Sequence, residues 1–297
     1  SDLAGKPVSI ERETPIFFSI LIPARNEAER IDSCLDSLKA LNYADNLFEI
    51  IVIDDHSSDE TAARVHFFKE ELPNLRLLRL SDYLTDADQS LQSFKKKAIE
   101  IGVQQSKGSW IVTTDADCRV PANWLRSMAA AIEQEQAAVL VMPVKMIPVK
   151  NPSNRLLGIF QQLDFLSLQG ITGTGIRSKS IYLSNGANFA YQKKLFQEVT
   201  GFQGTDDMAS GDDLLLLHKF RFHTTARIVY LQSADAIVST PVEPDLTSFI
   251  RQRRRWAGKS NRYLDKKILP VMLLVFAVNA FIVIAALLHF LHPTALC

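Results

Sequence analysis

The chain has 297 residues, enough for one large α/β domain with a small appendage, and 47% of them are hydrophobic, which supplies a sizeable core. Lysine plus arginine and aspartate plus glutamate each number 33, so the net charge is zero and the balance gives no ground for bulk nucleic-acid binding. The three cysteines, Cys34, Cys118 and Cys297, stand far apart without metal-ligand spacing, which argues against a disulfide framework and suits a reducing compartment.

Residues 1–15 are polar, carry Gly5, Pro7 and Pro15, and read as a lead-in. Phe17–Ile22 is a strand, and Ala28–Leu41 has helical spacing with Ile31, Leu35, Leu38 and Leu41 on one face. Phe48–Ile53 is an apolar strand, Ser57–Ser58–Asp59 can cap a helix running to about Glu71, and Leu75–Leu80 is a further strand. After a variable stretch at 81–93 come a helix over 94–105, a strand at Trp110–Thr114, a helix at Asn123–Glu135 and a strand at Ala138–Met142. Alternating units of this kind imply a mostly parallel sheet with helices on both faces, whose ligands bind beyond the C-terminal strand ends.

The second half is less regular. Residues 152–172 read as an apolar helix, Gly170–Gly175 as a Gly/Thr-rich break, Asn185–Tyr191 as a strand entry and Lys193–Thr200 as a short helix ended by Gly201. Asp212–Phe222 is helical, Arg227–Leu231 and Ala236–Thr240 are short strands, and Leu246–Gly258 is an arginine-rich helix. Ile268–Leu288 carries no charge and is long enough to span a hydrocarbon core of roughly 30 Å. Lys266, Lys267 and the arginines at 251–255 flank it on one side, so the positive-inside tendency places the preceding domain in the cytoplasm, at the cell membrane.

Carboxylates cluster where strands end. Asp54–Asp55 follows the strand at 48–53, where a carboxylate can accept from a base N–H or a ribose hydroxyl; turn and capping chemistry is the bland alternative and is favoured for Asp59. Asp115–Ala116–Asp117 follows the strand at 110–114, and two carboxylates at that spacing can hold a hard divalent cation that bridges to phosphate. Gly211–Asp212–Asp213 opens a helix, where one Asp is ordinary capping and the other is placed to act as a general base. Gln252–Arg253–Arg254–Arg255–Trp256 offers bidentate donors for phosphate beside a flat apolar ring, or a basic patch for anionic lipid. Lys95–Lys96–Lys97 reads as a solvated helix face, from which one lysine could approach phosphate. No zinc-type histidine spacing, Rossmann glycine fingerprint or P-loop occurs.

In this order the motifs resemble family 2 glycosyltransferases of the GT-A fold: Ile22–Pro23–Ala24–Arg25–Asn26–Glu27, Ile53–Asp54–Asp55, Ser57–Ser58–Asp59–Glu60–Thr61, Asp115–Ala116–Asp117, Asn185–Gly186–Ala187–Asn188, Gly211–Asp212–Asp213 and the Q-x-x-R-W stretch at 252–256. The last is similar to the signature of membrane-embedded polysaccharide synthases and ceramide glucosyltransferase. The resemblance covers roughly residues 16–260. It implies an α/β, Rossmann-like GT-A domain over 16–245, a juxtamembrane helix at 246–267 and a transmembrane helix at 268–291, with interfacial helices before it.

The resemblance also implies roles. Pro23, Arg25, Glu27, Asp54 and Asp55 would form the nucleotide pocket. Asp115 and Asp117 would bind the ribose–diphosphate part of a nucleotide-sugar donor and Mg²⁺ or Mn²⁺, with Asp117 the direct metal ligand. Asp213 would be the catalytic base. Asp212 replaces the family's usual Glu beside it and shares the acceptor side. Gln252 and Arg255 would stand at the mouth of the site, Arg255 against the leaving diphosphate and Trp256 against the acceptor. The expected reaction is inverting transfer, with UDP favoured, to a lipid or growing polysaccharide. A nucleotidylyltransferase is disfavoured because Pro23–Glu27 replaces a Gly-rich loop, and a non-catalytic membrane scaffold because Asp55, Asp117, Asp213 and Arg255 are all present.

Overall fold

The structure, a computed structural model, describes residues 15–85, 88, 94–148, 155–204 and 212–257, with 270, 273–278, 280, 281 and 284. The chain divides into two compact units: residues 1–144 with 184–240, and residues 145–183 with 241–297. The stretch 145–183, expected inside one domain over 16–245, therefore clusters with the C-terminal part.

The first unit is built on a seven-stranded sheet. Its strands are β1 (Phe18–Ala24), β2 (Phe48–Asp54), β3 (Leu75–Arg79), β4 (Trp110–Thr113), β5 (Val139–Val141), β7 (Phe189–Gln192) and β8 (Ile228–Tyr230), in the order β3-β2-β1-β4-β7-β5-β8. β3, β2, β1 and β4 run parallel, as the buried apolar runs anticipate; β7 is antiparallel to both its neighbours, β4 and β5. Every residue of β2 is buried, so helices must cover both its faces. Those around the sheet are α1 (Ile31–Lys39), α2 (Thr61–Phe68), α3 (Phe94–Gln105), α4 (Trp124–Glu135), α6 (Lys193–Glu198) and α7 (Asp212–His223). α1 turns Ile31, Cys34, Leu35 and Leu38 inward, the spacing of an amphipathic helix. The unit also holds the start of β6 (Val144–Ile147) and most of β9 (Val238–Pro241).

The second unit, among the described residues, centres on α5 (Arg155–Arg177) and α8 (Leu246–Ala257). The Gly/Thr stretch at 170–175 does not break α5 but continues it. The reason is close packing: Thr172 Oγ1 donates back to Leu168 O at 2.8 Å, and a Cβ on Gly175 would stand 2.6 Å from Ile181 O. The polarity of α5 is inverted. Gln161 and Asp164 are buried, while Leu156, Ile159, Leu163 and Leu166 form an exposed stripe. Gln161 bonds the backbone of Glu243 twice, donating to its carbonyl at 3.1 Å and accepting from its N–H at 2.9 Å. Asp164 pairs with Arg253 of α8, and Phe160 and Phe165 meet Phe249 and Trp256.

Among the described residues no helix is long and apolar enough to cross a membrane. Most of the span expected at 268–291 lies outside the described residues, as do the lead-in up to residue 14 and Gly211.

Candidate active site

The wall of the site after β1 and β2 is stitched together by its own motif residues. Asn26 adopts a left-handed backbone, φ 56°, which its short polar side chain tolerates. Its N–H donates to Ser57 Oγ at 3.0 Å, and its Oδ1 accepts from the Ser58 N–H at 2.8 Å. Glu27 N–H donates to Thr61 Oγ1 at 2.8 Å, and Ala28 N–H to Asp59 at 3.1 Å. Asp59 also accepts from the Thr61 N–H at 3.0 Å, where α2 begins. The P-A-R-N-E and D-D-H-S-S-D-E-T stretches are thus two sides of one hydrogen-bonded loop pair, and Asp59 is structural.

The acidic residues at the end of β2 are buried. Asp54 accepts from Ser57 N–H at 3.2 Å. Asp55 donates its N–H to Ala24 O, and its carboxylate lies 2.9 Å from His56 Nδ1 and 3.9 Å from the exposed Arg25. Pro23 sits half-buried in β1 just before these loops.

Beyond β4 the D-x-D pair is half-buried. Asp115 accepts from Lys95 Nζ of α3 at 2.6 Å. Asp117 lies 4.0 Å from Arg30 and accepts from Thr240 Oγ1 at 3.4 Å. Asp212 is buried in the first turn of α7, where the helix dipole favours negative charge, and Asp213 beside it is half-buried. Asp213 accepts from Ser184 Oγ at 3.3 Å. A Cβ on Gly186 would stand 3.5 Å from Asp212 Oδ2, so the N-G-A-N turn lies against this pair. That turn is a short 3-10 helix, Gly186–Asn188, pinned by the fully buried Asn188. Asn188 accepts from Trp124 Nε1 at 2.9 Å and donates to Pro143 and Ala236 carbonyls at 2.7 Å each.

The acids share one electrostatic field. Burial, with Asp117 and then Asp115 adding to it, pushes the Glu27 carboxyl up from 4.5 to about 7. Burial, followed by Asp115, raises Asp117 as well. Burial alone would lower Lys95, but Asp115, Asp212 and Asp213 more than reverse this and hold its ammonium well above its ordinary range. Lys95 thus couples the D-x-D pair to the acids that open α7. The buried Cys34 and Cys118 thiols nearby are pushed up by burial and then by these aspartates, and stay neutral.

The structure brings Glu27, Asp115, Asp117, Asp212 and Asp213 into this field, and places Pro23, Arg25, Asp54 and Asp55 on the stitched wall. Gln252, Arg255 and Trp256 belong to the other unit. There Gln252 Nε2 donates to Glu243 at 2.7 Å, Arg255 is exposed, and Trp256 packs on Phe165. Arg253, to which the Q-x-x-R-W pattern gives no fixed identity, is the engaged arginine: it pairs with Asp164 and lies 4.9 Å and 4.6 Å over the Phe249 and Trp256 rings. Arg30 is a site residue that the sequence does not single out, and the lysine run reads mainly as a solvated face with one unspecified member able to approach phosphate. A charge run does not reveal which of its members turns inward, and Arg30 carries no motif signal.

Among the described residues no three His, Cys, Asp or Glu side chains form a ready metal cage. Asp115 and Asp117 nevertheless fit a hard divalent cation, which needs only one or two carboxylates when water and phosphate oxygens complete its shell. Burial first, and the neighbouring carboxylates second, raise Glu27 and Asp117, so a cation bound here would favour their ionised forms.

Known proteins resemble this chain in sequence and in fold. The family model for glycosyl transferase family 2 matches residues 19–200, and that for glycosyl transferase family group 2 matches residues 110–297. The chain belongs to glycosyl transferase family 2, and its α/β fold is GT-A-like. It is 27% identical over 263 residues to the probable glycosyltransferase YdaM of Bacillus subtilis, covering 84% of this chain and 56% of that one. It is 26% identical over 253 residues to the beta-monoglucosyldiacylglycerol synthase of Synechocystis, covering 83% and 48%. The chain thus spans about half the length of these curated relatives. Among solved structures, Staphylococcus aureus TarS 1–349 in complex with UDP-GlcNAc superimposes with a TM-score of 0.58 at 20% identity, covering 79% of this chain and 61% of that one. The mannosyltransferase PcManGT of Pyrobaculum calidifontis, in complex with GDP-Man and Mn²⁺, gives 0.59 at 18% identity, covering 97% and 85%. At such identities the likeness speaks for the fold.

Proposed function

We propose that the protein transfers a sugar from a nucleotide-sugar donor, UDP-linked by preference, to a lipid or growing polysaccharide acceptor, with inversion at the anomeric carbon. The observation that carries this reading is a chain of contacts: Thr113 Oγ1 at the end of β4 donates to Gly186 O at 2.7 Å, Gly186 lies against Asp212 and Asp213, and Asp115, two residues beyond Thr113, is bonded by Lys95. Asp54 and Asp55 bind the nucleoside on the stitched wall. Asp115 and Asp117 hold the diphosphate end together with Mg²⁺ or Mn²⁺, which when bound stabilises the charge that builds on the leaving diphosphate. Asp213, oriented by Ser184, takes the proton of the acceptor hydroxyl as its oxygen attacks C1. One base without an enzyme nucleophile gives a single displacement and hence inversion. Asp212 shares the acceptor side, and the resemblance assigns Arg255 to the leaving diphosphate, Gln252 to the mouth and Trp256 to the acceptor.

A lipidic or exported acceptor would explain residence at the membrane with the catalytic unit in the cytoplasm. Two features support this. The exposed Leu156–Ile159–Leu163–Leu166 stripe of α5 is an apolar face of the kind that lies in a membrane interface, and the exposed arginines Arg251, Arg254 and Arg255 suit anionic headgroups. The partly described apolar stretch at 268–288 continues the same chain.

The test is a screen of the detergent-solubilised protein against UDP- and GDP-sugars with Mg²⁺ or Mn²⁺ and with EDTA, followed by NMR of the product anomer. Metal-dependent release of one nucleoside diphosphate, with the product anomer opposite to the donor, is expected. Retention of configuration, or release that EDTA leaves untouched, would overturn the mechanism.

A further inference from the structure

The lysine run at 95–97 divides its labour. Lys97 is tied to Asp88 at 3.0 Å and Glu100 at 3.5 Å, and Lys96 is buried. Of the three, Lys95 reaches the acidic recess: its Nζ donates to Asp115 Oδ1 at 2.6 Å, and both side chains remain open to solvent, 40% and 36% exposed. It stands near the beginning of the described part of α3. The neighbouring cation, Arg30, comes no closer than 4.0 Å to Asp117 and is shared with Glu27 at 3.9 Å. Among the described residues Asp115 is thus paired with Lys95, whose side chain is partly exposed and partly buried in the recess.

We propose that Lys95 is the resident counter-ion of the D-x-D pair and a diphosphate-binding residue of the donor site: its ammonium holds Asp115 until a divalent cation takes that carboxylate, and then turns to the donor's diphosphate. The inference rests on the nucleotide-sugar reading above. The charge arithmetic favours it. A divalent cation at Asp115 and Asp117 repels an ammonium 2.6 Å from the same carboxylate, while the incoming diphosphate brings new negative charge to the same recess. Lysine suits the exchange because it is a compact point charge on a four-carbon stem, free to swing without the fixed fork of arginine.

The experiment uses the whole purified protein and two variants, K95M and K95R. Mn²⁺ binding is read by electron paramagnetic resonance without nucleotide, and UDP binding by calorimetry at saturating Mn²⁺. In K95M the competitor for Asp115 is gone, so Mn²⁺ alone binds more tightly than in wild type, whereas UDP binding weakens by about tenfold or more, the worth of one charge-assisted contact. K95R keeps the charge but grips a carboxylate in fork geometry, so Mn²⁺ binds more weakly while UDP affinity is largely kept. Should K95M fail to fold, the K95R titrations decide alone: unchanged Mn²⁺ affinity overturns the proposal. K95M with wild-type UDP affinity, or with weakened Mn²⁺ binding, overturns it too. A wild-type protein that binds no UDP-sugar with metal present would instead overturn the parent reading, so the two failures are distinct.

Discussion

The two walls of the site are built on opposite principles. The loops after β1 and β2 satisfy one another: Asn26, Glu27 and Ala28 are each bonded across to Ser57, Ser58, Asp59 or Thr61. The loop after β4 and the start of α7 leave Asp115, Asp117, Asp212 and Asp213 crowded, with Lys95 and Arg30 as their close cations. A satisfied wall holds its shape before any ligand arrives, whereas a wall crowded with carboxylates gains most from a bound cation. The difference predicts where substitutions will act: on chemistry at the acidic wall, on stability at the stitched one.

The largest effect is expected at Asp213. Asp213→Asn keeps the shape and the Ser184 contact but removes the proton acceptor, so transfer should fall by about 10²–10⁴-fold, the range of a positioned general base. Donor binding measured by calorimetry should persist. If binding is lost in parallel with turnover, Asp213 supports the donor site and the base must be sought in Asp212.

A smaller effect, on stability, is expected at the stitched wall. Asn26 combines a left-handed backbone with a side-chain bond to the Ser58 N–H. Asn26→Ala loses both and should cost about 2 kcal/mol in denaturant unfolding, while Asn26→Gly, which adopts that backbone freely, should recover roughly half. Equal losses in the two variants would assign the whole effect to the hydrogen bond.

The same contrast explains what the sequence could be read for. β2 is apolar but for Glu49 and closes on Asp54, and β4 ends two residues before Asp115, so both the parallel sheet and the carboxylates at its C-terminal end were legible from pattern and position. The antiparallel β7 was not, because Phe189–Gln192 has no local feature that specifies direction; it is set by partners at β4 and β5 far along the chain. Gly170–Gly175 looked like a break because glycine and threonine are poor helix formers, yet close packing at Gly175 overrides propensity. The Q-x-x-R-W pattern drew attention to Arg255, whereas Arg253 is the arginine buried against Asp164, a choice that depends on which side of α8 meets α5. The lysine run drew notice, but which member approaches the acids was open for the same reason: three adjacent lysines are alike until the packing of α3 fixes their directions.

The finest test of the contrast is the pH dependence of stability, and Glu27 is the group that carries it, since it joins the two walls: its N–H is bonded to Thr61 and its carboxyl lies in the field of Asp117 and Asp115. Its folded pKa, about 7, is above its ordinary 4.5, so the folded state binds a proton that the unfolded state releases. Stability from this group is therefore fully present below about 4.5 and is lost as pH rises through 7. The melting temperature of the metal-free protein should decline across that window, and Glu27→Gln should flatten the decline and exceed wild type at the alkaline end. Saturating Mn²⁺ should also flatten it in the wild type, because a cation beside Asp115 and Asp117 offsets the repulsion that adds to burial in raising Glu27. A slope that survives Glu27→Gln but disappears with Mn²⁺ would mean that Asp117 itself, raised by burial and by Asp115, carries the dependence and that Glu27 belongs wholly to the stitched wall.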